Sequence, residues 1–181
     1  PPQARSRDKV DRALAAAQEL IQREGVGSLT LPRVAKEADV SVGALYQYLP
    51  DREAIVTALT VMYHEQHEAR MDELIEAVQA AQTQDPLSEV LRSVADVYRE
   101  NQQALTLRAE LQAAADPELT RGHKLRMVDK IESILLTYRL FEEAEAHLVA
   151  RTIFFAADGV MHEAFMLDPD GDPAVLAALE T

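Results

Sequence analysis

Three helix-start side chains, Thr30, Ser41 and Asp51, stand ten or eleven residues apart, and no other feature constrains the fold as much. A Ser, Thr or Asp ahead of a helix accepts a hydrogen bond from a backbone N–H of the first turn. Helices that must start and stop at such intervals are only about two turns long. The run TLPRVAKEA predicts one of them, with Pro32 in its first turn, where a missing N–H costs little, and with Val34, Ala35 and Ala38 facing inward. SVGALYQY predicts a second, and Pro50-Asp51 ends it and starts a third. Asp39 falls where the chain must turn, and Asp tolerates the left-handed backbone region better than most residues. Short helices joined by tight turns in this way read as a helix-turn-helix.

The remaining chain is also helical in its periodicity, and no alternating strand pattern is present. Val10, Leu14, Ala17 and Ile21 make the buried stripe of a first helix from about Arg7 to Glu24, with Gly25 as a left-handed stop covered by Val26. After the Asp51 cap, one long helix is expected from Arg52 to about Gln82, broken by Asp85-Pro86. Further helices are expected at Leu87 to Glu100, around Leu105 to Ala114, from about Glu118 to Leu140, and from Glu143 to Leu167. The tail DPDGDPAVLAALET has turn chemistry followed by a short helix. The fold class is all-α. Residues 1–51 form a three-helix helix-turn-helix domain, and residues 52–181 form a helical regulatory and dimerisation domain entered through the long helix from about residue 51.

Composition narrows the function. The chain has no cysteine, which removes disulfide scaffolds, thiolate metal sites and Cys nucleophiles. It shows neither a secretory leader nor an apolar run near the roughly 20 residues that span a bilayer, so a cytoplasmic protein without membrane partners is expected. A net charge of −13 argues against a polyanionic partner until its distribution is considered. Residues 1–52 hold eight Lys/Arg against seven acids, a balance of +1, and leave −14 for the remainder. Screening over about 8 Å at physiological salt weakens opposition from distant acids. Nucleophile elbow, P-loop, dinucleotide fingerprint and zinc-protease motifs are all missing, so neither an enzyme nor a cofactor is expected.

Residues 41–48 carry the chemistry. A helix laid in a DNA major groove presents its N-terminal residues to base edges amid phosphate contacts. Ser41 offers a hydroxyl, the first-turn amides attract a phosphate, and Gly43 and Ala44 keep the helix thin. Leu45 points inward against Val34 and Val40. Tyr46 and Tyr48 carry phenols suited to phosphate oxygens, Gln47 can reach a base, and Arg52 supplies a charged contact. Thr30, Arg33 and Val42 complete the candidate DNA-binding set. The competing reading is a pair of half-buried tyrosines in an ordinary tight turn.

The run from Leu29 to Leu59, LTLPRVAKEADVSVGALYQYLPDREAIVTAL, resembles the DNA-binding domain of the TetR family of bacterial transcriptional regulators. Thr30, Val34, Ala35, Ala38, Val40, Ser41, Gly43, Tyr46, Tyr48 and Glu53 match the family pattern. Asp39 stands for its Gly, Leu49 for its Phe and Arg52 for its Lys, and Pro32 replaces a common polar contact residue. The resemblance implies a homodimeric regulator, a repressor, that binds a pseudo-palindromic double-stranded operator and is released by a small hydrophobic effector. It implies a dimer interface on the last two long helices, for which Val128, Ile131, Leu135, Tyr138, Val149, Ile153, Ala156, Val160 and Ala164 are candidates. Conceivable pocket residues are Met62, His67, Tyr98, Leu105 and Phe155. The alternative is a small-molecule-binding protein of the same architecture that has lost sequence-specific DNA binding. No metal site is expected: His64, His67 and Glu68 read as a chance group on a solvated helix, and Asp168, Asp170 and Asp172 lack the closing Glu of a calcium loop.

Overall fold

A computed structural model describes the backbone of residues 2–100, 102–168 and 170–178, and the side chains of residues 7–99, 106–166, 168 and 170–178. Its helices are α1 (Pro2–Glu24), α2 (Leu31–Glu37), α3 (Val42–Tyr46), α4 (Arg52–Ala81), α5 (Pro86–Glu100), α6 (Gln102–Ala114), α7 (Pro117–Thr137), α8 (Glu143–Leu167) and α9 (Pro173–Ala178), with a 3₁₀ turn at Val26–Ser28. No strand occurs among the described residues.

Local side-chain chemistry sets the boundaries as expected. Thr30 Oγ1 accepts from Arg33 N–H at the start of α2, Ser41 Oγ from Ala44 N–H at α3, and Asp51 Oδ1 from Ala54 N–H at 2.7 Å at α4. Asp39 adopts φ 52. Around it the Val40 N–H bonds to the Ala35 carbonyl and the Asp39 N–H to that of Lys36, which is the two-bond Schellman closure. Gly25 has positive φ but ψ 164, the mirror of extended backbone rather than a left-handed stop, and only glycine adopts that region readily. Helix α7 stops at Thr137, short of the expected Leu140. Arg139 turns left-handed (φ 53), and the Leu140 and Arg139 amides close onto the Leu135 and Leu136 carbonyls.

The chain divides into two compact units: residues 1–64 with 103–120, and residues 65–102 with 121–181. The first unit buries Leu20, Ile21, Leu29, Val34, Leu45, Leu49, Ile55 and Leu59 around α1–α4. Leu107 and Leu111 of α6 complete the same core, and the Glu110 carboxylate accepts the Val26 N–H at 2.7 Å. That carboxylate also lies 3.5 Å from where a Cβ on Gly25 would sit, so the turn after α1 is held by a helix 84 residues later.

The second unit buries Met71, Ile75, Val78, Val90, Met127, Ile134 and Ala150, with Val128, Ile131 and Leu135 among them. The last three were expected at a subunit interface. They face inward because the α4, α5 and α8 side chains of the same chain close over them, and Ala164 is likewise fully buried. Tyr138 is half-buried and donates its phenol to the Val78 carbonyl at 3.0 Å. In the tail, the Asp168 and Asp172 carboxylates accept backbone amides of residues 170, 174 and 175, so the aspartates serve as turn caps.

Candidate nucleic-acid interface and ligand cavity

Helix α3 is anchored by one side and open on the other. Leu45 is 2% exposed and Leu49 is buried, both within the first unit's core. On the opposite side Tyr46 is 61% exposed, Tyr48 48%, and Val42 and Gln47 are exposed as well. A Cβ built on Gly43 meets nothing within 4 Å, so the slim part of the helix borders open space. Two phenols, a carboxamide, a capping hydroxyl and bare backbone therefore share one outward surface. Exposed tyrosines grouped beside a slim stretch of helix make this surface the candidate contact face.

The two arginines of the candidate set are otherwise engaged. Arg33 Nη2 pairs with both Glu24 carboxylate oxygens at 2.8 and 2.9 Å, which draws the Glu24 carboxyl below its usual range. Arg52 donates to the Val26 carbonyl at 3.2 Å. Both remain partly exposed, but neither extends from the surface as a bare cation. Asp39 sits at the turn between α2 and α3 and is exposed. Asp39→Gly should raise unfolding free energy by about 0.5–1 kcal/mol, because Gly enters the left-handed region without Cβ strain but loses more chain entropy. Urea unfolding of the two proteins measures this.

In the second unit an apolar cavity of about 60 Å³ opens between α4, α5, α7 and α8. Val90, Val94, Met127, Phe154 and Met161 supply much of its wall, and His67, Tyr98 and Asp158 supply its polar groups. Of the expected pocket residues, His67 and Tyr98 line it. Met62 packs against the first unit's core instead, Phe155 is exposed with the Lys124 ammonium 5.7 Å from its ring centre, and the Leu105 side chain lies outside the described residues. The α5 residues were visible in the sequence only as a periodic apolar stripe, which lines cores and cavities alike.

His67 and Glu68 are not a chance surface group. His67 Nδ1 lies 3.1 Å from His123 Nε2, and His123 Nδ1 lies 2.7 Å from Glu68 Oε1. Arg126 forks onto both oxygens of the same carboxylate at 2.9–3.0 Å. Burial pushes the Glu68 carboxyl up, but hydrogen bonds from Arg126 and then His123 outweigh it and hold it at about 2. An unperturbed glutamate titrates near 4.5, so the ionised form's contribution is fully present above that pH and fades as pH falls toward 2. Glu68→Gln is expected to cost on the order of 1–2 kcal/mol at pH 7, allowing for solvent screening, with the deficit shrinking between pH 4.5 and 2. Denaturant unfolding at pH 7, 4 and 3 reads the effect.

No described helix is long and apolar enough to cross a membrane. Residues 13–59 match a protein-family model described as bacterial regulatory proteins, tetR family. No curated protein matches the chain significantly. Solved structures share its fold nearly end to end. A protein of Mesorhizobium loti described as a TetR-family transcriptional regulator superposes with a TM-score of 0.76 at 19% identity, covering 97% of this chain and 96% of its own. The multidrug binding protein EbrR, solved with imidazole, gives 0.71 at 20% identity, covering 95% and 93%. NalD of Pseudomonas aeruginosa, the secondary repressor of the MexAB-OprM multidrug efflux pump, gives 0.65 at 19% identity, covering 97% and 94%.

Proposed function

We infer that this chain, whose residues 13–59 are an N-terminal domain of the TetR family of bacterial regulatory proteins, is a ligand-responsive transcriptional repressor that binds a pseudo-palindromic operator as a homodimer. The observation that carries the reading is the outward face of α3, where Tyr46 and Tyr48 stand exposed beside an unobstructed Gly43 while Leu45 anchors the helix. Each subunit would lay residues 41–48 in a major groove, with half-sites about 34–36 Å or a multiple apart. Thr30, Arg33 and Arg52 would add flanking contacts, the two arginines after exchanging their present partners for phosphate.

The dimer would use the outer face of the last two long helices. Leu125 and Leu136 of α7 and Leu148 and Phe155 of α8 are exposed large apolar residues there, Leu148 at 69%. Ala156, an exposed small residue, remains a candidate with them, whereas Val149, Ile153 and Val160 are only half-exposed. The effector would occupy the α4–α8 cavity. An effector releases DNA only as far as it binds the non-DNA geometry better, and a coupling of about 1–3 kcal/mol is typical.

Selection of duplexes from random sequence by the purified full chain tests this. A palindromic consensus with binding that falls steeply with salt is the expected result. If no sequence is enriched, with or without hydrophobic ligands, the alternative stands: a small-molecule-binding protein of this architecture without DNA recognition. The internal pairing of Arg33 and Arg52 and the exposed Asp39 carboxylate are the observations that favour that alternative.

A further inference from the structure

We propose that Asp129, Glu132 and His147 form a binding site for a divalent first-row transition ion of the zinc type, on the outward side of α7 and α8.

One donor atom from each of these side chains lies within 4.8 Å of the other two. Asp129 and Glu132 are three positions apart on α7, a spacing that puts two side chains on the same side of a helix. His147 enters from near the start of α8 and sets its Nδ1 2.8 Å from Glu132 Oε2. Two ligands that each stand about 2.0–2.2 Å from one ion are separated by roughly 3.0–3.4 Å, so this pair already has nearly the spacing of neighbours in a coordination shell. Asp129 is exposed and free to turn its carboxylate toward them. No sequence motif marks the site, because fifteen residues and a helix break separate Glu132 from His147.

The charges point the same way. Cations flanking this stretch of α7 are committed to other carboxylates: Lys124 to Asp158 at 3.0 Å, Arg126 to Glu68 at 2.9 Å, and Lys130 to Asp72. Among the described residues no Lys or Arg forms an ion pair with Asp129 or Glu132. Two carboxylates held close with an imidazole beside them disfavour one another, and a bound cation reverses that balance. The donor set selects the ion. Imidazole nitrogen suits zinc, nickel and copper, whereas calcium takes six to eight oxygens and magnesium an octahedral shell of them. Three protein ligands leave a fourth position open to water. Asp129 and Glu132 also lie between the exposed Leu125 and Leu136 on one stripe of α7, so an ion there would cancel negative charge on the face read above as the subunit contact.

Zinc titration of the tag-free full chain by calorimetry tests it, with the visible absorption of bound cobalt as a second readout. Wild type should take up one zinc per chain and give a cobalt band. His147→Ala and Asp129→Asn are changes at exposed positions, checked for folding by circular dichroism, and each should weaken zinc binding at least about tenfold. His147→Ala should also lose the cobalt band. His162→Ala, at an exposed histidine further along the same helix, should bind as wild type does. Zinc binding unchanged by His147→Ala and Asp129→Asn, or weakened as much by His162→Ala, shows an adventitious ion only and overturns the proposal. No uptake by wild type overturns it as well and leaves Glu132 and His147 a plain ion pair. None of these results bears on the DNA or cavity readings, which rest on other residues.

Discussion

Tyr46→Ala is expected to lower affinity for a selected duplex by about 10- to 100-fold, across all sequences alike, without moving the melting temperature. The first half follows from the proposed role: a phenol that hydrogen-bonds an anionic phosphate contributes about 1.5–3 kcal/mol, and such contacts position a protein without reading bases. The second half follows from exposure. With 61% of Tyr46 open to solvent, truncation removes little buried area and leaves no cavity. Gln47→Ala should behave differently, changing preference at one base position as well as overall affinity. Fluorescence anisotropy with a selected site and scrambled duplexes separates the two outcomes. Full affinity in Tyr46→Ala would show that α3 does not lie against DNA in this way.

Leu111→Ala is expected to destabilise the first unit by about 2–5 kcal/mol, although residue 111 lies some fifty positions beyond the family match. Leu111 is fully buried in the same cluster as Leu20, Leu29, Ile55 and Leu59. A cavity there undermines α1 and α4 together, and the neighbouring bond from Glu110 to the Val26 amide holds the turn between α1 and α2. The corollary is that residues 1–64 expressed alone should be poorly folded, and supplying 103–120 should restore cooperative melting. Thermal unfolding followed by circular dichroism checks both. A cooperative, fully helical fragment 1–64 would contradict the role given to α6.

The elements legible from sequence were those settled by neighbours along the chain. Thr30, Ser41 and Asp51 announce helix starts because a short polar side chain bonds an amide three residues on. Asp39 announces its turn because few residues accept positive φ. Long-range pairings left no such trace. Nothing near Glu110 indicates that it reaches Val26, and nothing near His67 indicates that His123 completes its hydrogen bond. The interface candidates illustrate a related point. Helices α7 and α8 carry apolar residues on two sides, and periodicity reveals a stripe without saying what it meets. Val128, Ile131 and Leu135 make the better-formed stripe and are consumed by the protomer's own core, while the sparser Leu125, Leu136, Leu148 and Phe155 stay exposed. The cavity was hard to foresee for the same reason, since Val90 and Val94 look like any core positions until α8 is set opposite them.

The closing of the α1 turn by Glu110 also bears on how the polypeptide is born. Residues 13–64 leave the ribosome well before α6, so the interior they share with it lacks two leucines until residue 111 has been added. At about 5–20 residues per second, translation of the intervening stretch leaves an unfinished greasy surface for roughly 2–9 s. During that interval nascent chains are open to chaperone capture, and a pause in synthesis within α5 would lengthen it.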